Sequence, residues 1–226
     1  MPVDHSVKKF LKALRMKSNA APIRKQNKRR ENEVIILKAA EKVFAEEGFG
    51  GATMQLIADV AGLPKANVHY YFSTKESLYR QVVSNIFDVW LQAADSFEEA
   101  AGPADGIGAY IDAKMEISRT HPAGSKVWAS EVMHGAPIIQ DYLETTLVEW
   151  TNSRVTAINA WIEAGLMDPV NPRHLLYMIW STTQHYADFG HQIQTLNNSA
   201  PLTEDQWDAA KASVKQIILK GIGVAI

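Results

Sequence analysis

The chain has 226 residues, is 46% hydrophobic and carries a formal net charge of −2 at pH 7. This length and apolar content suffice to bury a core, which excludes a wholly disordered protein. Cysteine is absent, which excludes disulfides, thiolate metal sites and cysteine nucleophiles and is typical of a reducing compartment. No segment approaches the roughly 20 apolar residues of a membrane helix, so we expect a soluble, cytoplasmic protein that does not bind membranes.

The charge is distributed unevenly. Residues 1–30 carry ten basic side chains and one acidic side chain, a net charge of +9, whereas the remaining residues carry 13 basic and 24 acidic side chains, a net charge of −11. A cationic arm on an anionic body is typical of a protein that binds a polyanion in one orientation. The alternative is a solubilising tail. The basic residues of the arm are Lys8, Lys9, Lys12, Arg15, Lys17, Arg24, Lys25, Lys28, Arg29 and Arg30.

The spacing of apolar residues is helical from residue 32 onward and lacks the two-residue period of strands, which predicts an all-α fold of about nine helices. A first helix over about 32–47 ends at Gly48, a residue suited to a left-handed cap. Two short helices follow: Thr53 caps the first, and Pro64 begins the second.

A long helix then opens with the S-x-x-E capping box of Ser73 and Glu76 and reaches about residue 96. Pro122 and Pro137 interrupt the helical pattern further along, and Asn171 before a proline caps another helix. The later helices are predicted at about 105–120, 123–135, 138–165, 172–190 and 203–220, the last opened by a capping box of Thr203 and Gln206.

Residues 48–78 contain two helices of about eight residues joined by a glycine-containing turn, as a DNA-binding helix-turn-helix requires. An apolar set would pack this unit on the first helix: Leu56, Ile57, Val60, Leu63, Val68 and Phe72. The second short helix would then present Lys65, Ala66, Asn67, His69 and Tyr70 outward. These residue types suit base edges and phosphates.

This segment resembles the reading head of the TetR family of bacterial regulators, whose pattern is approximately F-x3-G-x4-T-x3-I-A-x2-A-G-V-S-x-G-x-L-Y-x-Y-F-x2-K-E-x-L. Among the departures from the pattern, Pro64 replaces the usual capping serine, and His69 replaces a tyrosine that contacts phosphate. The residues in register are Phe44, Gly48, Thr53, Ile57, Ala58, Ala61, Gly62, Tyr71, Phe72, Lys75, Glu76 and Leu78.

The resemblance implies a sequence-specific transcriptional regulator that binds a double-stranded DNA operator. It implies that Gln55 and residues 65–70 contact bases and backbone, and that Thr53, Tyr71 and Lys75 hold phosphates. Two alternatives stay open: Tyr71 is a core residue, and Lys75 is a solvated charge.

The chain lacks the GxGxxG, GxxxxGKS, HExxH and GxSxG motifs, so we expect neither an enzyme nor a cofactor. His121, His185 and His191 do not have the i, i+4 spacing of a helical zinc pair, so we expect no metal. The alternative function is a helical scaffold or enzyme in which the helix-turn-helix serves packing only.

The predicted helix at 172–190 turns from apolar to polar without a turn signal. Tyr177, Ser181, Gln184 and Asp188 share one helical stripe, with Trp180 and His185 beside it. Buried polar groups on such a stripe need partners, which are either each other or a ligand. Trp128 is a candidate for a second wall of the same pocket.

The run from Met178 to Phe189 and the segment His134-Gly-Ala-Pro-Ile resemble the pyrimidine-utilisation branch of the TetR family, whose repressors release DNA on binding uracil or thymine. The resemblance implies a small planar nitrogenous effector. An amide such as that of Gln184 offers a donor and an acceptor in one plane, which matches the edge of a pyrimidine.

We therefore expect three parts: a flexible basic arm at 1–30, a helix-turn-helix domain at 31–78 and a helical effector-binding and dimerisation domain at 79–226. A homodimer would supply two heads for two half-sites. It would form through the last two predicted helices, with an apolar set consisting of Met178, Trp207, Val214, Ile217 and Ile218.

Overall fold

The computed structural model describes the backbone of residues 5–93, 97 and 100–224, with side chains from residue 27 onward. Every regular element in this part of the chain is helical, which confirms the predicted fold class. None of the helices described is both long and apolar enough to cross a bilayer.

The head consists of α1 (His5–Gly51), α2 (Met54–Ala61) and α3 (Lys65–Tyr71), and α4 (Lys75–Ala93) leads out of it. The start predicted for the first helix, near residue 32, is wrong: α1 begins at His5 and includes most of the basic arm. The flexibility expected of residues 1–30 stays a prediction. The helical backbone breaks at Gly48, with φ of 66°, as the sequence predicted.

The second part of the chain begins with α5 (Pro103–Thr120) and α6 (Pro122–Met133). The short α7 (Gln140–Tyr142) continues through a π-helical segment (Leu143–Leu147) into α8 (Val148–Glu163). The last helices are α9 (Pro172–Asp188), α10 (Gly190–Leu196) and α11 (Glu204–Gly221). Helix α10 was not predicted from the sequence, because it begins at a glycine and carries only two large apolar side chains, Ile193 and Leu196.

The capping pattern is mostly as predicted, with one displacement. In α4 the reciprocal bonds join Thr74 and Ser77, each backbone N–H donating to the other's hydroxyl, so the predicted box of Ser73 and Glu76 is wrong by one residue. The caps formed as predicted are Thr53 on α2, Asn171 on α9 and the Thr203–Gln206 capping box on α11.

The buried apolar residues form two clusters. The first runs from Ile36 in α1 through α4 to Trp128 in α6 and Ile139. The second joins α5, α8, α9 and α11 around Ile107 and Leu176. The first cluster crosses the domain boundary proposed at residue 78, so the head shares one core with α4 and α6. The boundary itself stays a prediction.

Candidate DNA-reading head and effector cavity

Helix α3 presents its outer face to solvent. The five side chains expected to face outward, Lys65, Ala66, Asn67, His69 and Tyr70, are all exposed. Val68 between them is fully buried and anchors the helix to the head. The prediction that Val60 belongs to the apolar set packed beneath this helix is wrong, since Val60 is 45% exposed. The outward face of α3 is therefore accessible to a groove of double-stranded DNA.

The turn between α2 and α3 depends on Gly62, which has a φ of 65° and ends α2 with its N–H directed to the carbonyls of Ala58 and Asp59. An L side chain is strained in this left-handed region. The glycine therefore fixes the angle at which α3 leaves α2.

Thr53 lies at the N-cap of α2, where its hydroxyl accepts a hydrogen bond of 3.1 Å from the N–H of Leu56. Gln55, in the first turn, donates from Nε2 to Asp59 Oδ1 at 2.8 Å. Both side chains are exposed. The exposed N–H groups of this helix start can also receive an anion such as phosphate.

Lys75 is neither free nor simply solvated. Its Nζ donates to the carbonyl oxygens of Phe49 at 2.6 Å and Ala52 at 2.9 Å, and it lies 4.4 Å from the centroid of the Phe49 ring. Two of its three donors are thus engaged in fastening the α1–α2 turn to the start of α4. The phosphate contact implied by the family resemblance stays a prediction and has at most the third donor available.

Tyr71 is half-buried, and its hydroxyl accepts a hydrogen bond of 3.3 Å from Nδ2 of Asn32. Its ring meets that of Tyr70 edge-on at 5.3 Å, and Tyr70 is 72% exposed. The ring of Tyr71 therefore packs against the head while its O–H keeps a proton to donate, and the phosphate contact implied by the family resemblance stays a prediction.

A cavity of about 290 Å³ lies between α4, α5, α6, the π-helical segment, α8 and α9. Four of its twelve lining residues are tryptophans: Trp90, Trp128, Trp150 and Trp180. The Trp128 ring stacks on Phe87 at 5.0 Å with an interplanar angle of 1°. Planar apolar walls of this kind suit the faces of a flat ring.

The structure brings together three of the predicted effector-binding residues, Trp128, Trp180 and Gln184, which all line this cavity. The other residues of the predicted stripe on α9 point elsewhere. Tyr177 is 49% exposed, and Asp188, which does not line the cavity, accepts a hydrogen bond of 2.6 Å from Ser125 Oγ.

Ser181 and His185 line a different, open groove between α9, α10 and α11. Its volume is about 760 Å³, and its walls include Tyr186, Leu196 and Ala210. A stripe inferred from helical spacing alone was therefore too wide, because the two faces of α9 serve different surfaces.

Sequence reasoning missed Lys114, which is 2% exposed and lines the cavity. Its Nζ lies 4.2 Å from the centroid of the Trp90 ring. Burial lowers the pKa of Lys114 to about 7, and the negative charge of Asp188 opposes this effect. A signal was present in the sequence: Lys114 continues the stripe of Ile107, Tyr110 and Ile111, where a core residue belongs.

Donors outnumber acceptors on the cavity wall. The Trp180 Nε1–H already donates to the Tyr110 hydroxyl at 2.8 Å, while the buried Trp150 Nε1 has no hydrogen-bond partner among the described residues. Lys114 adds ammonium donors, and the amide of Gln184 adds a donor and an acceptor. The cavity therefore favours a molecule with more than one acceptor oxygen.

The surface of α9 and α11 is apolar where the sequence predicted a dimer contact. Met178 is 55% and Ile217 71% exposed, and Trp207 is half-buried against Tyr186. Val214 and Ile218 were assigned wrongly to this surface, because both are buried within the second core cluster.

Among the described residues, no group of three His, Asp or Glu side chains could hold a metal ion.

Comparison with known proteins decides the family. A family model described as "Bacterial regulatory proteins, tetR family" matches residues 36–82, and one described as "YcdC-like protein, C-terminal region" matches residues 83–225. The chain is 37% identical over 187 residues to the HTH-type transcriptional regulator RutR of Escherichia coli (strain K12), covering 83% of this chain and 88% of that protein. The chain belongs to the TetR family.

A more distant relative is also a regulator, and solved structures of low identity share the fold. The HTH-type transcriptional repressor NicS of Pseudomonas putida is 26% identical over 166 residues, covering 71% of this chain and 77% of that protein. The solved structure of the ketosteroid regulator KstR2 of Mycobacterium tuberculosis has a TM-score of 0.65 at 22% identity, covering 86% of this chain and 94% of that one. That of AibR with isovaleryl coenzyme A and operator DNA has a TM-score of 0.64 at 17% identity, covering 82% and 97%.

Membership of the family confirms a DNA-binding transcriptional regulator rather than an enzyme. TetR regulators bind operator DNA and small-molecule effectors and are dimeric. The exposed outer face of α3 and the aromatic cavity are the two surfaces that these activities need.

Proposed function

We propose that this regulator is a cytoplasmic repressor, released from its operator by a small planar nitrogenous effector of the pyrimidine type. The observation that carries the proposal is the cavity of about 290 Å³ walled by four indole rings with Gln184 at its edge. This volume is at the low end for ligand pockets, so it suits a single ring better than a long chain. The 37% identity to RutR, the pyrimidine utilisation regulator, supports the same class.

The polar groups of the cavity match the edge of an oxo-pyrimidine. The amide of Gln184 pairs with a neighbouring N–H and C=O of the ring. The ammonium of Lys114 and the unpartnered Nε1–H of Trp150 donate to carbonyl oxygens. A carbonyl oxygen of the effector would give the Nε1–H of Trp150 the acceptor that it lacks among the described residues, and an unpaired buried donor costs about 1–3 kcal/mol.

On the DNA side, we propose that α3 enters the major groove and that Lys65, Asn67, His69 and Tyr70 contact bases and backbone there, with Ala66 available to a thymine methyl. Thr53, Gln55 and Tyr71 would border the groove and contact phosphates. The basic arm at 1–30 would add affinity on any sequence, because its charge releases counterions from neighbouring phosphates.

We propose that the dimer forms through α9 and α11 around Met178 and Ile217, with the groove that contains Ser181 and His185 at its edge. Isologous pairing of this face sets two α3 helices at half-sites about one duplex turn apart. Both side chains are large, apolar and exposed, on helices that pack against each other.

The test combines calorimetry with fluorescence anisotropy on DNA flanking the regulator's own gene. Uracil and thymine should bind the parent and lower its operator affinity. Gln184→Ala should weaken uracil binding about tenfold, since a paired amide contributes about 1–1.5 kcal/mol. Ser181→Ala is the matched control, because Ser181 lies on the same helix but faces the other groove. Equal affinity of both variants for uracil would remove Gln184 from the effector site.

A further inference from the structure

The wall of the aromatic cavity carries a basic side chain and no acidic one. Lys114 is 2% exposed, and its Nζ lies over the Trp90 ring and forms no ion pair among the described residues. The carboxylate whose charge acts on it, that of Asp188 in α9, accepts from Ser125 and does not line the cavity. A buried ammonium in this position favours an anionic partner.

Two further groups on the wall are hydrogen-bond donors. The Nε1–H of Trp150 is buried and has no partner among the described residues. The hydroxyl oxygen of Tyr110 accepts from Nε1 of Trp180 at 2.8 Å. Burial raises the pKa of Tyr110, so this hydroxyl keeps its own proton and can donate it. Lys114, Tyr110 and Trp150 thus present donors from α5 and α8 to one cavity.

Acceptors on the wall are few. Among its lining residues, only Tyr110 and Gln184 have a side-chain oxygen, and that of Tyr110 is already engaged. The lining residues all lie in helices, where backbone carbonyls accept from the helix itself. The amide oxygen of Gln184 is therefore the acceptor that remains for a bound ring.

A neutral oxo-pyrimidine such as uracil matches this wall incompletely. Its ring has two N–H groups, and Gln184 offers an acceptor for one of them. The other N–H is then buried without a partner, which weakens binding. Loss of this proton removes the unpaired donor and leaves a ring nitrogen and oxygen that share a negative charge. Hydrogen bonds from Lys114 to such an anion are charge-assisted and stronger than bonds to a neutral carbonyl.

We propose that the cavity selects planar oxo-heterocycles that bind as the monoanion, with the ionised N–C=O edge of the ring paired to the ammonium of Lys114. The inference rests on the proposed function and names the form of its effector: among rings of one shape, the more acidic ring binds more tightly. The ring N–H gives its proton to the solvent, or to the amine of Lys114 where that amine is neutral. Uracil, a weaker acid, binds as the neutral molecule.

The experiment compares three rings of nearly the same outline by calorimetry at pH 7: uracil, 5-fluorouracil and 6-azauracil, in order of increasing acidity. 6-Azauracil should bind the full chain at least about tenfold more tightly than uracil, because its anion leaves no N–H unpaired. 5-Fluorouracil should lie between them.

Lys114→Met tests the residue itself, because methionine is apolar and suits a buried position. Its affinities for the three rings should agree within about threefold, since the charge-assisted bond is absent. Lys211→Met is the matched control. Lys211 is paired with Asp208 on α11 and does not line the cavity, so this variant should keep the order of the parent.

A second measurement needs no variant and counts protons directly. At pH 6 the amine of Lys114 is charged, since its pKa is about 7, and free 6-azauracil is largely neutral. Binding as the monoanion should therefore release about one proton per molecule bound, whereas uracil should release none. Calorimetry in buffers of different ionisation enthalpy measures this number.

The outcomes separate this inference from the proposed function. If uracil binds but the three rings have equal affinity, or if 6-azauracil releases no proton, the inference is overturned and the pyrimidine effector stands. If 6-azauracil binds and uracil does not, the inference is supported and uracil is not the effector. If none of the three rings binds, both are overturned.

Discussion

The reading head and the effector cavity differ in how far apart in sequence their residues lie. The head is one continuous stretch of chain, α1 to α3: Thr53 caps its own helix, and Lys75 at the start of α4 donates to Phe49 and Ala52, 26 and 23 residues earlier. The cavity takes side chains from between Phe87 and Gln184, on six separate elements. A motif fixes the first site locally, whereas only the packed core creates the second.

The largest expected effect is on stability, at the wall shared by the cavity and the core. Trp128→Ala removes a ring that stacks on Phe87 and meets Trp90 edge-on at 5.2 Å. Truncation of such a buried ring costs about 3–5 kcal/mol, measured as the free energy of urea unfolding. Tyr177→Ala, on exposed α9 surface, should cost less than about 0.5 kcal/mol. If Trp128→Ala is as stable as the parent, the Trp128 ring does not contribute to the stability of the core.

The second prediction tests whether the head is fastened locally. Lys75→Met should lower the free energy of unfolding by about 2–3 kcal/mol, because two charge-assisted hydrogen bonds to Phe49 and Ala52 are lost. Operator affinity should fall as α2 is displaced, with little change in the slope of affinity against salt. A slope that falls by about one unit, at unchanged stability, would instead identify Lys75 as a phosphate ligand.

These two sites also show what the sequence can and does not reveal. The outward face of α3, the caps at Thr53 and Thr203 and the helix break at Gly48 follow from local spacing and cap chemistry, and the structure has them. The assignment of Val60 to the core was wrong, because helical spacing gives a face but not what lies against it.

The cavity was only partly predictable for the same reason. Trp180 and Gln184 were found from the polarity of one helix, but the angular width of the stripe was not, so Ser181 and His185 were included although they face the open groove. Lys114 lies on α5, about 70 residues before Gln184 in the chain. Its place in the cavity wall depends on Trp90 of α4 and Trp150 of α8, which pack beside it. Long-range packing decides such a position.

The third prediction concerns pH and the cavity. Because burial lowers the pKa of Lys114 to about 7, its amine is charged below that pH and neutral above it. A carbonyl oxygen of the effector favours the ammonium form, so uracil affinity should be highest below pH 7 and fall as pH rises, by up to about tenfold per unit. Calorimetry from pH 6 to 9 measures this fall.

The matched variant for this pH series is Lys114→Met, which should bind uracil more weakly and without the fall above pH 7. Asp188 is the other titratable group that acts on Lys114, and its own pKa is raised by burial while Ser125, Lys126 and His185 oppose that rise. Asp188→Asn therefore serves as a second control: it should shift the fall to lower pH, because the carboxylate no longer supports the ammonium. An identical pH profile for Lys114→Met and the parent contradicts the assignment.

The smallest expected effect on the fold is at Thr53, where a cap and a phosphate contact can be separated. Thr53→Asp keeps an acceptor for the N–H of Leu56, and aspartate is as good a cap as threonine and favourable at a helix start, so the free energy of unfolding should change by less than about 0.5 kcal/mol. Thr53→Ala should lose about 1 kcal/mol.

If Thr53 also borders a phosphate, the negative charge added in Thr53→Asp should weaken operator binding by tenfold or more in low salt. The effect should become progressively smaller in high salt, because salt screens the repulsion. Anisotropy titrations at several salt concentrations, on the operator and on unrelated DNA, measure this repulsion, which should be equal on both DNAs. Thr53→Asp that binds operator like the parent would restrict Thr53 to capping α2.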